Sequence, residues 1–100
     1  MAMKTALADA LKKNRQKIFQ IAKRHGVYNI RVFGSAVTGD AKPESDIDLL
    51  VDLAEGQSLF DLGAFLVEVE QILGVPVDVV TEKGLHWYIR DRVLEEAKEI

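Results

Sequence analysis

The chain has 100 residues, a net charge of −3 and no cysteine, and 48% of its residues are hydrophobic. This size and composition predict one soluble domain, residues 1–100, with a modest core. The lack of cysteine excludes disulfides, thiolate catalysis and cysteine metal sites. The negative charge argues against general attraction to nucleic acid. No apolar run approaches the roughly 18 residues of a membrane span and no signal peptide is evident, so we expect no membrane contact and a cytoplasmic location.

Hydrophobic spacing and turn residues predict three helices and three strands. The helices repeat apolar residues at intervals of three and four, the strands are rich in β-branched residues, and glycine and proline punctuate the loops. In chain order we predict a helix over about 4–25 that Gly26 stops, a strand over 28–33, a loop with Gly34, Gly39 and Pro43, and a strand over 46–53. A second helix is predicted to start at Ser58, with Asp61 in its capping box, and to end at Gly74. A strand over 75–80 and a helix over 86–100 complete the predicted elements.

The alternation of side chains along the strands predicts which of them share a face. In the second strand an apolar set faces one way, and the carboxylates face the other way with Leu50. In the third strand Asp78 lies opposite Val75, Val77 and Val79. We therefore expect an α+β fold, a small mixed β-sheet with helices mainly on one face and the other face open. The apolar set is Ile47, Leu49, Val51 and Leu53, and the opposite set is Asp46, Asp48 and Asp52.

Carboxylates on the second of these faces predict a metal site. Asp46 and Asp48 are two residues apart in one strand, so they project the same way, and Asp78 has matching parity on another strand. Two carboxylates 4 Å apart repel by about 4 kcal/mol at an effective dielectric near 20. A divalent cation cancels this repulsion, and oxygen ligands suit Mg²⁺ or Mn²⁺. Asp52 lies farther along, and we interpret it as a solvated strand end.

Gly34 and Ser35 come directly after the first strand. Glycine allows close approach of a phosphate, and backbone N–H groups with a serine hydroxyl can bind phosphate oxygens. A phosphate site beside metal-binding carboxylates is typical of phosphoryl or nucleotidyl transfer. Each motif alone is weak, because Gly-Ser and Asp-x-Asp occur in many unrelated turns and strand ends.

The stretch "GSAVTGDAKPESDIDLLVD", with the later Asp78, resembles the signature of the DNA polymerase β-like nucleotidyltransferase superfamily. The compact chain is similar to the minimal nucleotidyltransferase (MNT) branch over essentially its whole length. This resemblance implies an antitoxin that transfers AMP from ATP to a hydroxyl of a HEPN-domain toxin, which is a ribonuclease. It implies partnership with that toxin, with homo- or hetero-oligomers left open, and no direct nucleic-acid binding.

The resemblance also assigns roles to residues. Gly34 and Ser35 would contact the triphosphate, Asp46 and Asp48 would bind two Mg²⁺ ions, and Asp78 would be the third carboxylate. Family members often carry arginine where this chain has Thr38, so a phosphate contact is missing. Lys42 or Arg31 is a candidate substitute for that arginine.

Two other functions stay open at this point. The first is a catalytically impaired antitoxin that acts by binding alone, which the residue Thr38 favours. The second is nucleotidyl transfer to a small molecule, which the lack of a second substrate-binding domain makes the weaker alternative. Neither the acceptor nor the nucleotide preference follows from the sequence.

Overall fold

The computed structural model describes residues 6–34, 37 and 46–100. Within these ranges the chain forms four α-helices and a four-stranded sheet. None of these helices is long and apolar enough to cross a membrane. In chain order the elements are α1 (Ala6–Lys13), α2 (Arg15–Arg24), β1 (Val27–Phe33), β2 (Ile47–Leu53), α3 (Leu59–Leu73), β3 (Val77–Thr81), a 3₁₀ turn (Glu82–Gly84), α4 (Trp87–Glu96) and β4 (Lys98–Glu99).

The first predicted helix is two helices in the structure, because the chain breaks at Asn14. The Asn14 side-chain amide donates to the carbonyl of Ala10 at 2.9 Å. Asparagine favours such local contacts with the backbone over the regular helix ladder. Gly26 follows α2 with a φ of +69°, so the prediction that it ends the helix is confirmed. Residues 4 and 5 of the predicted helix lie outside the described residues.

The sheet is mixed, with the strand order β3-β2-β1-β4. Strand β2 is antiparallel to β1 and parallel to β3, and β4 is antiparallel to β1. The register between β1 and β2 shifts by one residue between Tyr28 and Arg31, where Asn29 has a φ of +53°. This bulge allows Val27 and Ile30, three residues apart, both to be buried.

One face of the sheet, called the core face below, packs against α2 and α3, and Leu11 of α1 joins the same core. Ile47, Leu49 and Val51 of β2 are 0% exposed on this face, as their parity predicts. The prediction of an α+β fold with helices mainly on one face is confirmed. The buried core consists of Leu11, Ile18, Ile21, Ala22, Val27, Ile30, Ile47, Leu49, Val51, Phe65, Val69, Val77 and Val79.

Helix α3 begins and ends where the sequence predicts. The Ser58 hydroxyl accepts a hydrogen bond from the N–H of Phe60, and the Asp61 carboxylate accepts one from the N–H of Ser58 at 3.0 Å. These two bonds form the expected capping box. Gly74 ends the helix with a φ of +74°, in the left-handed region that glycine adopts without strain.

The prediction that the last helix extends from residue 86 to residue 100 is wrong at its end. Helix α4 stops at Glu96, Ala97 is extended, and Lys98 and Glu99 form β4 against Val32 and Arg31. The pairing satisfies backbone groups at the edge of β1, which a longer helix would leave unpaired. Hydrophobic spacing does not report this competition, because it depends on a distant strand.

The face opposite the core face, called the second face below, is covered in part by α4. The helix connects β3 at one edge of the sheet with β4 at the other, so it crosses the sheet. Leu50 on the second face is 0% exposed and Val93 of α4 is 6% exposed, and neither belongs to the core. The expectation that this face is entirely open is therefore wrong for its central part.

Candidate active site

Asp48 and Asp78 are direct neighbours in the parallel pairing of β2 and β3. The flanking pairs Ile47–Val77 and Leu49–Val79 point to the core face, so the two aspartates point to the second face. Asp48 is half-buried and Asp78 is exposed. The sheet therefore brings these two carboxylates together, as the parity of the sequence predicts. They lie near the N-terminal ends of β2 and β3.

Asp46 directly precedes β2 and is exposed. Burial raises the pKa of Asp48, and the charges of Asp78 and then Asp46 raise it further. The charges of Asp78 and Asp46 thus act on the Asp48 carboxylate. In the part of the chain that the structure describes, however, no three acidic or histidine side chains are close enough to form a ready-made metal site. The expected convergence of all three on one point is not seen; Asp48 and Asp78 are the pair that the sheet holds together.

Gly34, directly after β1, lies against Asp48, one member of this pair. Phe33, the last residue of β1, pairs with Asp48, and Gly34 follows with a φ of +77°. A Cβ atom on Gly34 would overlap the Oδ2 atom of Asp48. The N–H of Val37 donates to the carbonyl of Gly34 at 3.0 Å, which closes one turn after the strand. Ser35, the other predicted phosphate contact, lies outside the described residues, as do Thr38, Gly39, Lys42 and Pro43.

Arg31 lies on the second face, but other side chains already bind its guanidinium. Its Nη2 atom is 3.3 Å from Oδ1 of Asp52, and its Nη1 atom is 3.6 Å from Oε2 of Glu82. Glu82 in turn binds Arg90 of α4 at 3.3 Å. This chain of charges connects β2, β1, the 3₁₀ turn and α4. Arg31 is therefore engaged in ion pairs within the fold, which argues against its use as a substitute for the arginine that family members often carry.

The interpretation of Asp52 as a solvated strand end is wrong. Its carboxylate binds Arg31 and also accepts a hydrogen bond from the Asn29 side chain at 2.9 Å. The register pairs Tyr28 with Asp52, so Asn29 and Arg31 reach it from the neighbouring strand. The bulge in β1 provides this geometry, and the sequence carries no clear signal of it beyond an asparagine, which tolerates positive φ.

A second feature of this face is a cavity of about 940 Å³ at the other ends of β2 and β3. Leu53 in its wall lies five residues beyond Asp48 in β2, which corresponds to about 16 Å of extended strand. The cavity is thus separate from the aspartate pair. Its other lining residues are Tyr28, Asp52, Ala54, Glu55, Gly56, Gln57, Thr81, Glu82, Lys83 and Arg90.

Several known proteins resemble this chain in sequence, and a solved structure shares its fold. A protein of Methanocaldococcus jannaschii, provisionally assigned as a protein adenylyltransferase, is 42% identical over 86% of this chain and 92% of its own length. The protein adenylyltransferase MntA of Thermococcus cleftensis is 42% identical over 77% of this chain and 78% of its own length. A structure solved for a provisionally assigned minimal nucleotidyltransferase has 40% identity and a TM-score of 0.82, and covers 93% of this chain and 95% of that one.

A more distant structure shows the same fold in a complex. This toxin–antitoxin structure with AMP-PNP has a TM-score of 0.70 at 23% identity, and the match covers 85% of this chain and 70% of that one. Residues 15–100, which include Gly34 and all three aspartates, match the nucleotidyltransferase domain family. The aspartate pair therefore lies inside the matched region, and the chain belongs to the nucleotidyltransferase domain family.

Proposed function

We propose that this nucleotidyltransferase transfers AMP from ATP to a hydroxyl group of a protein partner, and that it acts as the antitoxin of a HEPN-domain toxin. The observation that carries the proposal is the Asp48–Asp78 pair on the second face beside Gly34. Support for a protein acceptor comes from the relatives named as protein adenylyltransferases. Support for ATP and for a toxin comes from the toxin–antitoxin complex with AMP-PNP.

The residues fit a site for Mg²⁺. Asp46, Asp48 and Asp78 supply only oxygen ligands, which Mg²⁺ prefers. The raised pKa of Asp48 shows that its negative charge is disfavoured without a cation. When bound, Mg²⁺ ions would neutralise triphosphate oxygens and charge that develops in the reaction. The described side chains form no ready-made group of three, so the carboxylates would have to move closer together when ions bind.

The remaining steps belong to the chain's own residues. Gly34 has no side chain beside Asp48, which leaves room for a phosphate to approach the backbone. Ser35 would donate its hydroxyl to that phosphate. The acceptor oxygen forms a bond to the α-phosphorus while the bond from this phosphorus to pyrophosphate breaks. Asp78, the more exposed of the two paired carboxylates, takes the proton of the acceptor hydroxyl. The products are AMP esterified to the partner and free pyrophosphate.

A binding-only antitoxin is the second candidate, and one observation favours it. The arginine that family members often use near the phosphates is Thr38 in this chain, and Arg31 is already bound to Asp52 and Glu82. Weak phosphate binding would lower the rate without affecting a protein–protein interface. The two candidates differ in whether neutralisation of the toxin needs the aspartates.

The test combines purified protein, ATP labelled at the α-phosphate, Mg²⁺ and the protein encoded by the neighbouring gene. We expect labelled partner with the wild type and none with Asp48→Asn. Asp91→Asn on the exposed side of α4 is the matched control and should label normally. Transfer by Asp48→Asn would contradict the assigned site. Neutralisation by an Asp46→Asn, Asp48→Asn variant, without transfer by the wild type, would support binding alone.

A further inference from the structure

We propose that the acceptor polypeptide binds as an added strand along the outer edge of β3, and that this pairing places its hydroxyl side chain beside Asp78. The inference rests on the proposed function and names how the acceptor is recognised. It starts from the position of β3, which is the last strand of the sheet and, within the described residues, pairs with β2 alone. The edge of a sheet presents backbone groups that can pair with another chain.

The register of β3 decides which backbone groups point outward. The N–H of Ile47 in β2 donates to the carbonyl of Pro76 at 3.0 Å, so Pro76 faces β2. In a parallel pair every second residue bonds to the neighbour, which turns Asp78 and Val80 toward β2 as well. The N–H and C=O groups of Val77, Val79 and Thr81 therefore point away from the sheet.

The outer edge is capped at its beginning. The Glu70 carboxylate of α3 accepts a hydrogen bond from the N–H of Val77 at 2.8 Å. An incoming strand would displace this contact or begin beyond it. Val79 is the next outward-pointing residue, and it is directly adjacent to Asp78. The cap thus favours a register in which the incoming chain bonds to Val79.

This register brings the acceptor side chain to the catalytic carboxylates. If an antiparallel strand bonds to Val79, the residue opposite Asp78 occupies a non-hydrogen-bonded position, where Cα atoms approach to about 4.5 Å. Its side chain then points to the second face, beside Asp78 and one strand away from Asp48. A serine or threonine hydroxyl would reach Asp78 directly, and a tyrosine would reach it from a diagonal position.

The charge of this edge selects the kind of segment. Asp78 lies at the beginning of β3, Asp48 pairs with it from β2, Asp46 directly precedes β2, and the Glu70 carboxylate contacts the N–H of Val77. Bound Mg²⁺ would offset the aspartates but not Glu70. The segment that fits is an extended piece of a partner protein with a hydroxyl residue and lysine or arginine nearby.

The test compares Val79→Pro with Val79→Ala in the transfer assay. Proline removes the outward N–H of Val79 and leaves the bonds of Asp78 and Val80 to β2, and an edge position tolerates it. Alanine loses buried side-chain contacts of Val79 but keeps the N–H. We expect the acceptor KM to rise about tenfold or more for proline and less than about threefold for alanine. The KM for ATP should stay unchanged in both variants.

Each outcome decides between separate claims. If the wild type transfers no AMP, the proposed function fails and this inference fails with it. If the wild type transfers AMP and proline behaves like alanine, only the edge-pairing inference fails. Should the proline variant not fold, amide exchange of the wild type provides the decision. A synthetic peptide of about ten residues around the modified hydroxyl, mapped by mass spectrometry, should slow exchange at Val79 and Thr81; unchanged exchange at both would overturn the inference.

Discussion

Gly34 and Asp48 are in such close contact that any side chain on Gly34 would overlap the carboxylate of Asp48. The contact joins the end of β1 to the beginning of β2, at the point where Asp48 meets Asp78 of β3. The family resemblance explains this glycine by close approach to a phosphate. The structure adds a second reason, since Gly34 also determines where the carboxylate of Asp48 can lie.

Gly34→Ala should therefore impair transfer more than it impairs folding. At a φ of +77° alanine costs about 1–2 kcal/mol of stability. Displacement of Asp48 by about 1 Å would lower kcat by about 100-fold. Chemical denaturation and the transfer assay measure the two effects separately.

Gly56→Ala is the matched control for this substitution. Gly56 also has a positive φ, +87°, but a Cβ atom there would have nothing within 4 Å. We expect a similar loss of stability and an unchanged kcat. Equal losses of kcat in the two variants would mean that Gly34 acts only through backbone strain.

The position of Asp78 could be predicted from the sequence because it depends on local rules. An aspartate inside a run of valines must face away from the core, and the parity of β2 places Asp48 on the same side. The capping box at Ser58 and the stop at Gly74 are equally local. Each of these features depends on residues that are close together in the sequence, and the structure confirms them.

The surroundings of Arg31 could not be predicted in this way. Asp52 reaches Arg31 because of a bulge in β1, and Glu82 reaches it from beyond β3. The end of α4 likewise depends on the pairing of Lys98 with Val32. These contacts join residues that are far apart in sequence, so hydrophobic periodicity carries no information about them.

Arg31→Gln should lower stability without changing the KM for ATP. The Arg31 side chain is 14% exposed and pairs with Asp52 and Glu82, so the variant would lose both ion pairs, while Glu82 would keep its ion pair with Arg90. Because these partners are partly screened by solvent, we expect a loss of about 1–2 kcal/mol. Denaturant unfolding and ATP titration measure both quantities. A marked increase in the KM for ATP would show that Arg31 contacts the phosphates after all.

Asp78→Asn should stabilise the metal-free protein by up to about 1 kcal/mol, after allowance for solvent screening, because it removes a like charge beside Asp48. The raised pKa of Asp48 means that the folded state binds this proton more tightly than the unfolded state. The contribution of Asp48 to the stability of the wild type should therefore fall as pH rises from about 3.8 through the raised pKa. The variant should show a smaller fall. Melting curves without Mg²⁺ would check this, and a lower Tm for the variant would mean that Asp78 holds structure.

Acid should weaken the contact between α2 and α3 through Glu68. Its carboxylate lies 2.5 Å from Nε2 of His25 and 2.5 Å from Nη2 of Arg24, and these hydrogen bonds lower the pKa of Glu68 below its usual 4.5. The unfolded state therefore binds the proton more tightly. The stabilisation is complete above pH 4.5 and is lost as pH falls through the lowered pKa.

Glu68→Gln should accordingly lower the Tm at pH 7 and reduce the further decrease of Tm on acidification. Glu95→Gln is the matched control, because Glu95 is an exposed glutamate on α4, away from the contact between α2 and α3. Calorimetry of the three proteins between pH 3 and 7 would test this. The same acid slope in Glu68→Gln as in the wild type would show that other carboxylates carry the acid sensitivity. Since Glu68 lies on the core-face side of the sheet, transfer activity of Glu68→Gln at low temperature should match that of the wild type.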